Sequence, residues 1–266
     1  MSAARTVERP DTSPVPAEVV RSIRLSPSMQ RLTVAGAGLT DLQWQGFDQW
    51  ARLFLPSPQG GGLENVPQRL TRSSYVRMLA RRPAVRPTLR NYTLRQARPE
   101  LGEVDIDVVL HGDAGVAAPW ARDARPGSPL VLLDQGCTWA NPPARNLVLV
   151  ADETALPAVL GILRDCDRTS CGIALVEVPD AADAQVEDIP EQCEIRWLPR
   201  PTGTAPGALA LAALRELDLP AEDRAAFAAG ESALATGARR LLVNECGWDR
   251  DEVCFVGYWK QGTVLR

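Results

Sequence analysis

Arg90-Asn91-Tyr92-Thr93-Leu94-Arg95 places two guanidiniums around one phenol and one hydroxyl within six residues. Aromatic and β-branched residues alternate with long polar ones, which is the pattern of a strand. Arg is a planar fork that matches phosphate. Tyr has a flat face and a polar tip, and Thr a short hydroxyl that donates or accepts. Held side by side, these groups suit a flavin nucleotide, with Arg on the pyrophosphate and Tyr92-Thr93 against the ring. The same six residues also describe the edge strand of a basic barrel whose arginines serve solubility. Both readings place a strand here.

Further stretches follow outward from it. They are His111-Gly112-Asp113-Ala114-Gly115 with Trp120-Ala121, Asp152-Glu153-Thr154-Ala155-Leu156-Pro157-Ala158, Ala229-Gly230-Glu231, and Gly257-Tyr258-Trp259-Lys260-Gln261-Gly262. With Arg-x-Tyr-Thr-x-Arg they make five motifs whose order resembles the siderophore-interacting protein family, a branch of the ferredoxin–NADP reductase-like flavoproteins. The resemblance runs from about Ala17 to Gly262. It implies an N-terminal antiparallel FAD-binding β-barrel followed by a Rossmann-like NAD(P)H-binding α/β domain. The expected divisions are a disordered segment 1–16, a barrel domain 17–141 and an α/β domain 142–266.

Composition bounds the alternatives. The 266 residues are 45% hydrophobic and 23% charged, as in a soluble globular protein large enough for two ordinary domains. A net charge of −4 gives no reason to expect nucleic acid as partner. Lys260 is the only Lys among 29 basic residues, and it lies inside a motif. No apolar run approaches a membrane span of about 20 residues, and the first 16 residues carry no apolar signal region. A cytoplasmic location without stable membrane association is expected. The six cysteines form no C-x-x-C pair, and His111 is the single histidine, so no metal site is expected and the thiols read as mostly buried and reduced.

In the first half, short strand signals at Val19 to Leu25, Gln30 to Ala35 and Trp50 to Leu55 suggest a small barrel. Nine arginines lie between Arg69 and Arg98. They read either as a solvated face or as a field around an anion. Glu103 to Leu110 alternates, with Val104, Ile106 and Val108 on one face and Glu103, Asp105 and Asp107 on the other, the signature of a half-buried strand. It leads into the small-residue stretch around Gly115 and a short helix near Trp120 to Ala124. The family uses this loop for the flavin pyrophosphate. Gly115-Val116-Ala117-Ala118 departs from its usual Gly-Pro-Ala-Ser, which removes one hydroxyl donor. His111 reads as a structural residue at a strand end. Pro129 to Asp134 reads as the last barrel strand.

After Asn141-Pro142-Pro143 the texture changes to alternating strand and helix signals, from Asn146 to Val150 through Val253 to Tyr258. That alternation argues a doubly wound α/β domain. G-x-G-x-x-G is missing. Asp152 and Glu153 read on their own as an acidic helix cap. By resemblance, Asp152, Glu153 and Thr154 belong to the nicotinamide-nucleotide side, with Gly230 and Glu231 lining the same cleft. Arg200 is a candidate partner for an adenosine 2′-phosphate.

The resemblance implies an FAD-dependent enzyme that uses NADPH or NADH to reduce the Fe(III) of a ferric siderophore. Tyr92 and Thr93 are the residues expected at the reacting ring. Arg90, Arg95, His111, Asp113, Gly115, Val116, Ala117 and Trp120 are expected to hold FAD. Lys260 and Trp259 are expected to meet the chelate. A siderophore or flavin carrier without turnover, and a flavin or quinone reductase of the same fold, are the alternatives.

Overall fold

The computed structural model of the chain describes residues 13–110, 115–139 and 141–263. His111 and Asp113 therefore lie outside the described residues. The chain forms two compact units. Among the described residues, one comprises 13–45 and Gln49–Cys137. The other comprises the chain from Thr138 onward together with Gly46–Asp48.

The first unit is a closed antiparallel barrel. Its strands are β1 (Val15–Ser26), β2 (Met29–Ala35), β3 (Trp50–Leu55), β4 (Thr88–Arg98), β5 (Glu103–Val109) and β6 (Pro129–Gly136), in the order β1-β2-β5-β4-β3-β6. Pairing of Val15 with Leu132 through Glu18 with Pro129 closes it. Closure removes the sheet edges that would otherwise be free to pair. It also corrects the expected disorder up to residue 16, because Val15 and Pro16 are already in β1. Val19, Leu32, Leu53, Leu94, Ile106 and Leu132 are among the buried residues of the barrel core.

Two helices lie on the barrel. α1 (Arg72–Leu79) was not expected from the sequence. Thr71 caps it and Ser74 returns the bond, a capping box with Ser in place of Glu. α1 buries Met78 with Phe54, Val131 and Leu133 in a second, smaller cluster. α2 (Ala117–Asp123) follows β5, and Gln30 Nε2 on β2 donates to its Ala121 carbonyl at 3.0 Å.

The acidic face of β5 is not left to water. Asp105 is 6% and Asp107 3% exposed. Arg98 donates twice to Asp105 at 2.9 Å, and Thr33 Oγ1 donates to it at 2.7 Å. Arg31 grips Asp107 at 2.6 and 2.7 Å. The barrel register sets these partners, because β2 runs beside β5 with Thr33 opposite Asp105 and Arg31 opposite Asp107.

The second unit has five parallel strands. They are β7 (Asn146–Ala151), β8 (Cys171–Val178), β9 (Gln192–Pro199), β10 (Arg224–Glu231) and β11 (Val253–Trp259), in the order β11-β10-β7-β8-β9. The order reverses direction at β7, next to β10, which is the switch point where such sheets bind ligands beyond the strands' C-terminal ends. The helices are α3 (Leu156–Asp165), α4 (Ala208–Arg215) and α5 (Ser232–Arg240), the last running into a π-turn at Leu241–Glu245. Buried on both faces, β7 reads as a continuous apolar run. Among the described residues no helix is long and apolar enough to cross a membrane. No disulfide joins any two of the six cysteines; Cys137 and Cys166 are buried and Cys246 is exposed.

Gly46–Asp48 completes this second unit. The Phe47 amide donates to Asp165 Oδ2 at 2.7 Å. The Phe47 carbonyl oxygen lies 2.0 Å from where a Cβ on Gly161 would stand, so only glycine fits there in α3. Asp48 accepts the Thr138 amide at 3.1 Å and the Trp139 amide at 2.9 Å.

Candidate functional site

On the barrel, strand alternation puts Arg90 and Tyr92 on one face of β4, in register with Leu53 and Ala51 of β3. Tyr92 packs against the barrel core. Burial pushes its phenol up to about 12, with the Arg90 charge opposing, so the hydroxyl stays protonated and can donate. Arg90 donates to the Leu89 carbonyl at 2.6 Å and forms no ion pair among the described residues. It is thus a half-buried cation with donors left for an anion.

Arg95 differs from Arg90. A register shift between Leu94 and Gln96 marks a bulge that re-aims the chain. Arg95 is 7% exposed, with Nε 3.9 Å from Asp107 Oδ2. The two arginines of the motif are therefore not an equivalent pair. Thr93 is 6% exposed and pairs with Trp50 of β3. The Trp50 indole N–H is buried with no partner among the described residues, and no motif in the chain pointed to it.

Next to this strand in the sequence motifs is the start of α2. Val116 occupies its cap position, no side chain caps it, and Ala117 and Trp120 lie in its first turns. Gly115 has φ +100° and open space where a side chain would be. The barrel thus carries an unpaired guanidinium, a neutral phenol, an orphan indole donor and uncapped amides behind a glycine. That donor set fits an anionic, ring-bearing nucleotide such as FAD.

In the α/β unit the motif residues converge at the switch point. Asp152 follows β7 and is fully buried. Its Oδ1 accepts the Thr154 amide at 2.9 Å and hydroxyl at 2.5 Å. Its Oδ2 accepts the Glu231 amide at 2.6 Å and the Trp259 indole N–H at 2.9 Å. One carboxylate thereby ties the ends of β7, β10 and β11. Burial, with neighbouring Glu153 adding, raises its pKa from 3.8 to about 6 against the pull of those donors. Gly230 has φ +126°, and a Cβ there would lie 2.5 Å from the Asp152 carboxylate. Glycine is required on both counts.

Glu153 does not cap a helix or face open space. Arg200 grips it at 2.9 and 3.1 Å and reaches Glu177 at 2.8 Å. This corrects the reading of Arg200 as a partner for a 2′-phosphate, since its guanidinium is committed to two carboxylates. Glu177 in turn accepts the amides of Gly207, Leu209 and Ala210 at the start of α4. Glu231 accepts the Ala233 amide at the start of α5 and the Gln261 amide at 3.1 Å. The N-termini of α4 and α5 are thus filled by the unit's own carboxylates. α3 has no side-chain cap, which corrects the acidic-cap reading of Asp152-Glu153.

At the C-terminal motif, the Trp259 carbonyl accepts the Ser232 hydroxyl at 2.7 Å while its indole holds Asp152. Trp259 is a fixed part of the scaffold. Lys260 beside it is exposed, with its backbone in a single bridge to Thr263.

Residues 18–138 match the siderophore-interacting FAD-binding domain, and residues 144–262 match the siderophore-interacting protein domain. Ferric vibriobactin reductase ViuB of Vibrio cholerae is 32% identical over 250 residues, covering 92% of this chain and 89% of that one. The chain belongs to the siderophore-interacting protein family. Another relative of this family member is an NADPH-dependent ferric-chelate reductase of Escherichia coli, 28% identical with 91% of each chain covered. A siderophore utilization protein from T. fusca superposes with a TM-score of 0.81 at 31% identity, over 97% of this chain and 96% of that one. A ferredoxin–NADP+ reductase from Plasmodium falciparum, at 11% identity and a TM-score of 0.63, over 92% of this chain and 96% of that one, shares the fold alone. The family resemblance read from the five motifs holds, as does the fold class of antiparallel barrel followed by parallel α/β sheet.

Proposed function

We propose that this siderophore-interacting protein is an FAD-dependent ferric-siderophore reductase driven by NADPH or NADH, acting in the cytoplasm. The observation that carries the reading is the Arg90–Tyr92 face of β4, an uncommitted guanidinium beside a protonated phenol on an FAD-binding-type barrel.

The chain's residues have distinct tasks in this reading. Arg90 holds the flavin pyrophosphate, together with the amides following Gly115 at Val116 and Ala117. Tyr92 lies along the ring, and the Thr93 hydroxyl supplies a polar contact at its edge. Arg95 steadies that strand through Asp107, and Trp120 backs the helix behind the loop. FAD, when bound, converts the hydride of NAD(P)H into single electrons for the substrate. In the balance, one NAD(P)H gives NAD(P)⁺, one proton and two electrons, enough for two Fe(III) to become Fe(II). Fe(II) binds hard oxygen ligands less well, so the iron leaves the chelate.

For the nicotinamide nucleotide, support comes from the switch point itself, where β7 and β10 part beyond their C-terminal ends. Asp152, Thr154, Gly230 and Glu231 then position that edge rather than touch the nucleotide. Glu153 meets the nucleotide only by exchanging Arg200 for it. Lys260, beside the fixed Trp259, draws the anionic chelate.

The test is the spectrum of the purified protein. A flavin band that bleaches on adding NADPH or NADH, and recovers with Fe(II) trapped on adding a ferric catecholate or hydroxamate, is the expected result. Failure to bind FAD at all overturns the reading. Flavin binding without bleaching leaves a carrier, and bleaching without Fe(II) leaves a reductase with another acceptor.

A further inference from the structure

The arginine-rich stretch that precedes β4 is not absorbed by the flavin site. No acidic residue occurs between Glu64 and Glu100, while nine arginines do, in a chain whose net charge is −4. α1 begins this stretch. Its Met78 side faces the barrel, with Tyr75 packed beside it. Arg72, Val76 and Leu79, spaced i, i+4 and i+7, form a stripe about a quarter-turn away from that side and open to solvent. Val76 is 60% and Leu79 39% exposed, and Val85 just beyond is 40% exposed.

Scattered exposed aliphatics need no explanation, but these three stand among Arg72, Arg77, Arg81 and Arg82, all exposed. None of those arginines forms an ion pair among the described residues. Arg86 reaches only the Leu79 carbonyl, at 3.0 Å. Guanidiniums match phosphate oxygens. Aliphatic side chains between them gain nothing from a nucleic-acid backbone, which uses aromatic stacking instead, and the one aromatic here is turned into the barrel. Basic residues around exposed aliphatics are the composition of a surface that lies at the headgroup boundary of an anionic bilayer.

We propose that α1 and the turn through Arg86 dock the protein reversibly on an anionic lipid surface. Arginines meet the headgroup phosphates, and Val76, Leu79 and Val85 enter the acyl boundary. This goes beyond the reductase reading and does not depend on it.

Co-sedimentation of the full chain with vesicles of phosphatidylglycerol and phosphatidylcholine, against phosphatidylcholine alone, tests it. Binding to the anionic vesicles that weakens with salt is expected, with little on the zwitterionic ones. Each arginine near a charged surface contributes about fivefold in affinity. Arg77→Gln, Arg81→Gln and Arg82→Gln together should therefore lower vesicle affinity roughly hundredfold while flavin content stays unchanged. Val76→Ser, which keeps the charge, should lower it several-fold. Equal binding to both vesicle types, no binding to either, or binding indifferent to Val76→Ser overturns the proposal. So does retention on polyuridylate by a protein that ignores the anionic vesicles.

Discussion

Two pairs of buried aspartates, one in each unit, are held by opposite means. In the barrel, Asp105 and Asp107 face guanidiniums on neighbouring strands. In the α/β unit, Asp48 and Asp152 face neutral N–H and O–H donors from backbone, Thr154 and Trp259. The pKa consequences have opposite sign. Burial raises Asp105, but hydrogen bonds from Arg98 and then Thr33 outweigh it, and the net shift is downward. Burial raises Asp48 and Asp152, each from 3.8 to about 6, and the dipoles around them do not compensate. A cation cancels the cost of burying a carboxylate; a ring of amides only fixes its position. Asp105 and Asp107 are thus held by charge, and Asp48 and Asp152 by geometry.

The strongest way to break that contrast is Arg98→Ala. It leaves Asp105 buried without its main cation, and removing one partner of a buried pair costs about 3–5 kcal/mol. A urea midpoint close to wild type would show that Thr33 alone suffices. Gly230→Ala tests the other side. It forces a positive φ on a residue with a Cβ and drives that Cβ into Asp152, for about 2–3 kcal/mol. The destabilisation should appear together with a change in Trp259 fluorescence, because the indole shares the same carboxylate. Loss of stability without that change would mean Asp152 does not couple the strands.

Arg90→Ala removes a cation that no carboxylate needs. Stability should hardly move, while FAD affinity falls by about 1.5–3 kcal/mol, the worth of a charge-assisted bond. Titration of apoprotein with FAD checks it, and unchanged affinity returns Arg90 to the solvated surface.

The pH dependence comes next. For Asp48 and Asp152 the folded pKa lies above the unfolded one, so folding takes up protons. Their stability is fully present below about pH 3.8 and is lost as pH rises through about 6. From pH 7 to pH 5 each should add about 1.3 kcal/mol. Asp105 contributes in the other direction: its stability is present above 3.8 and is lost only as pH falls through its lower folded value. Chemical unfolding at pH 5 and pH 7 should show a slope that Asp152→Asn about halves. An unaltered slope would assign it to other groups. The smallest effect is expected from Lys260→Ala, about a two- to fivefold rise in KM for an anionic chelate, with flavin reduction by NAD(P)H unchanged.

Much of this was readable in the sequence where the deciding interaction is local. Alternation in Glu103 to Leu110 and the apolar run from Asn146 to Val150 identified β5 and β7, since each pattern reports which faces are buried. The motif at Asp152 was visible for the same reason. Its orientation was not, because Trp259 and Arg200 decide it, at separations of 107 and 47 residues. The burial of Asp105 and Asp107 depends on the barrel register, which no single strand encodes. α1 was missed because its capping box ends in Ser74 and its outer face mixes Val76 and Leu79 with arginines. The Thr71 hydroxyl before Arg72 was the available signal.

The tripeptide Gly46–Asp48 bears on how the polypeptide can be divided. A fragment beginning at Thr138 would be missing the acceptor for its first two amides and the ring-bearing residue seated over Gly161. The C-terminal half is therefore not autonomous in composition, although most of its length is continuous. On the ribosome, however, those three residues emerge some ninety positions ahead of Thr138, so the piece that finishes the later half is always made before the half that needs it.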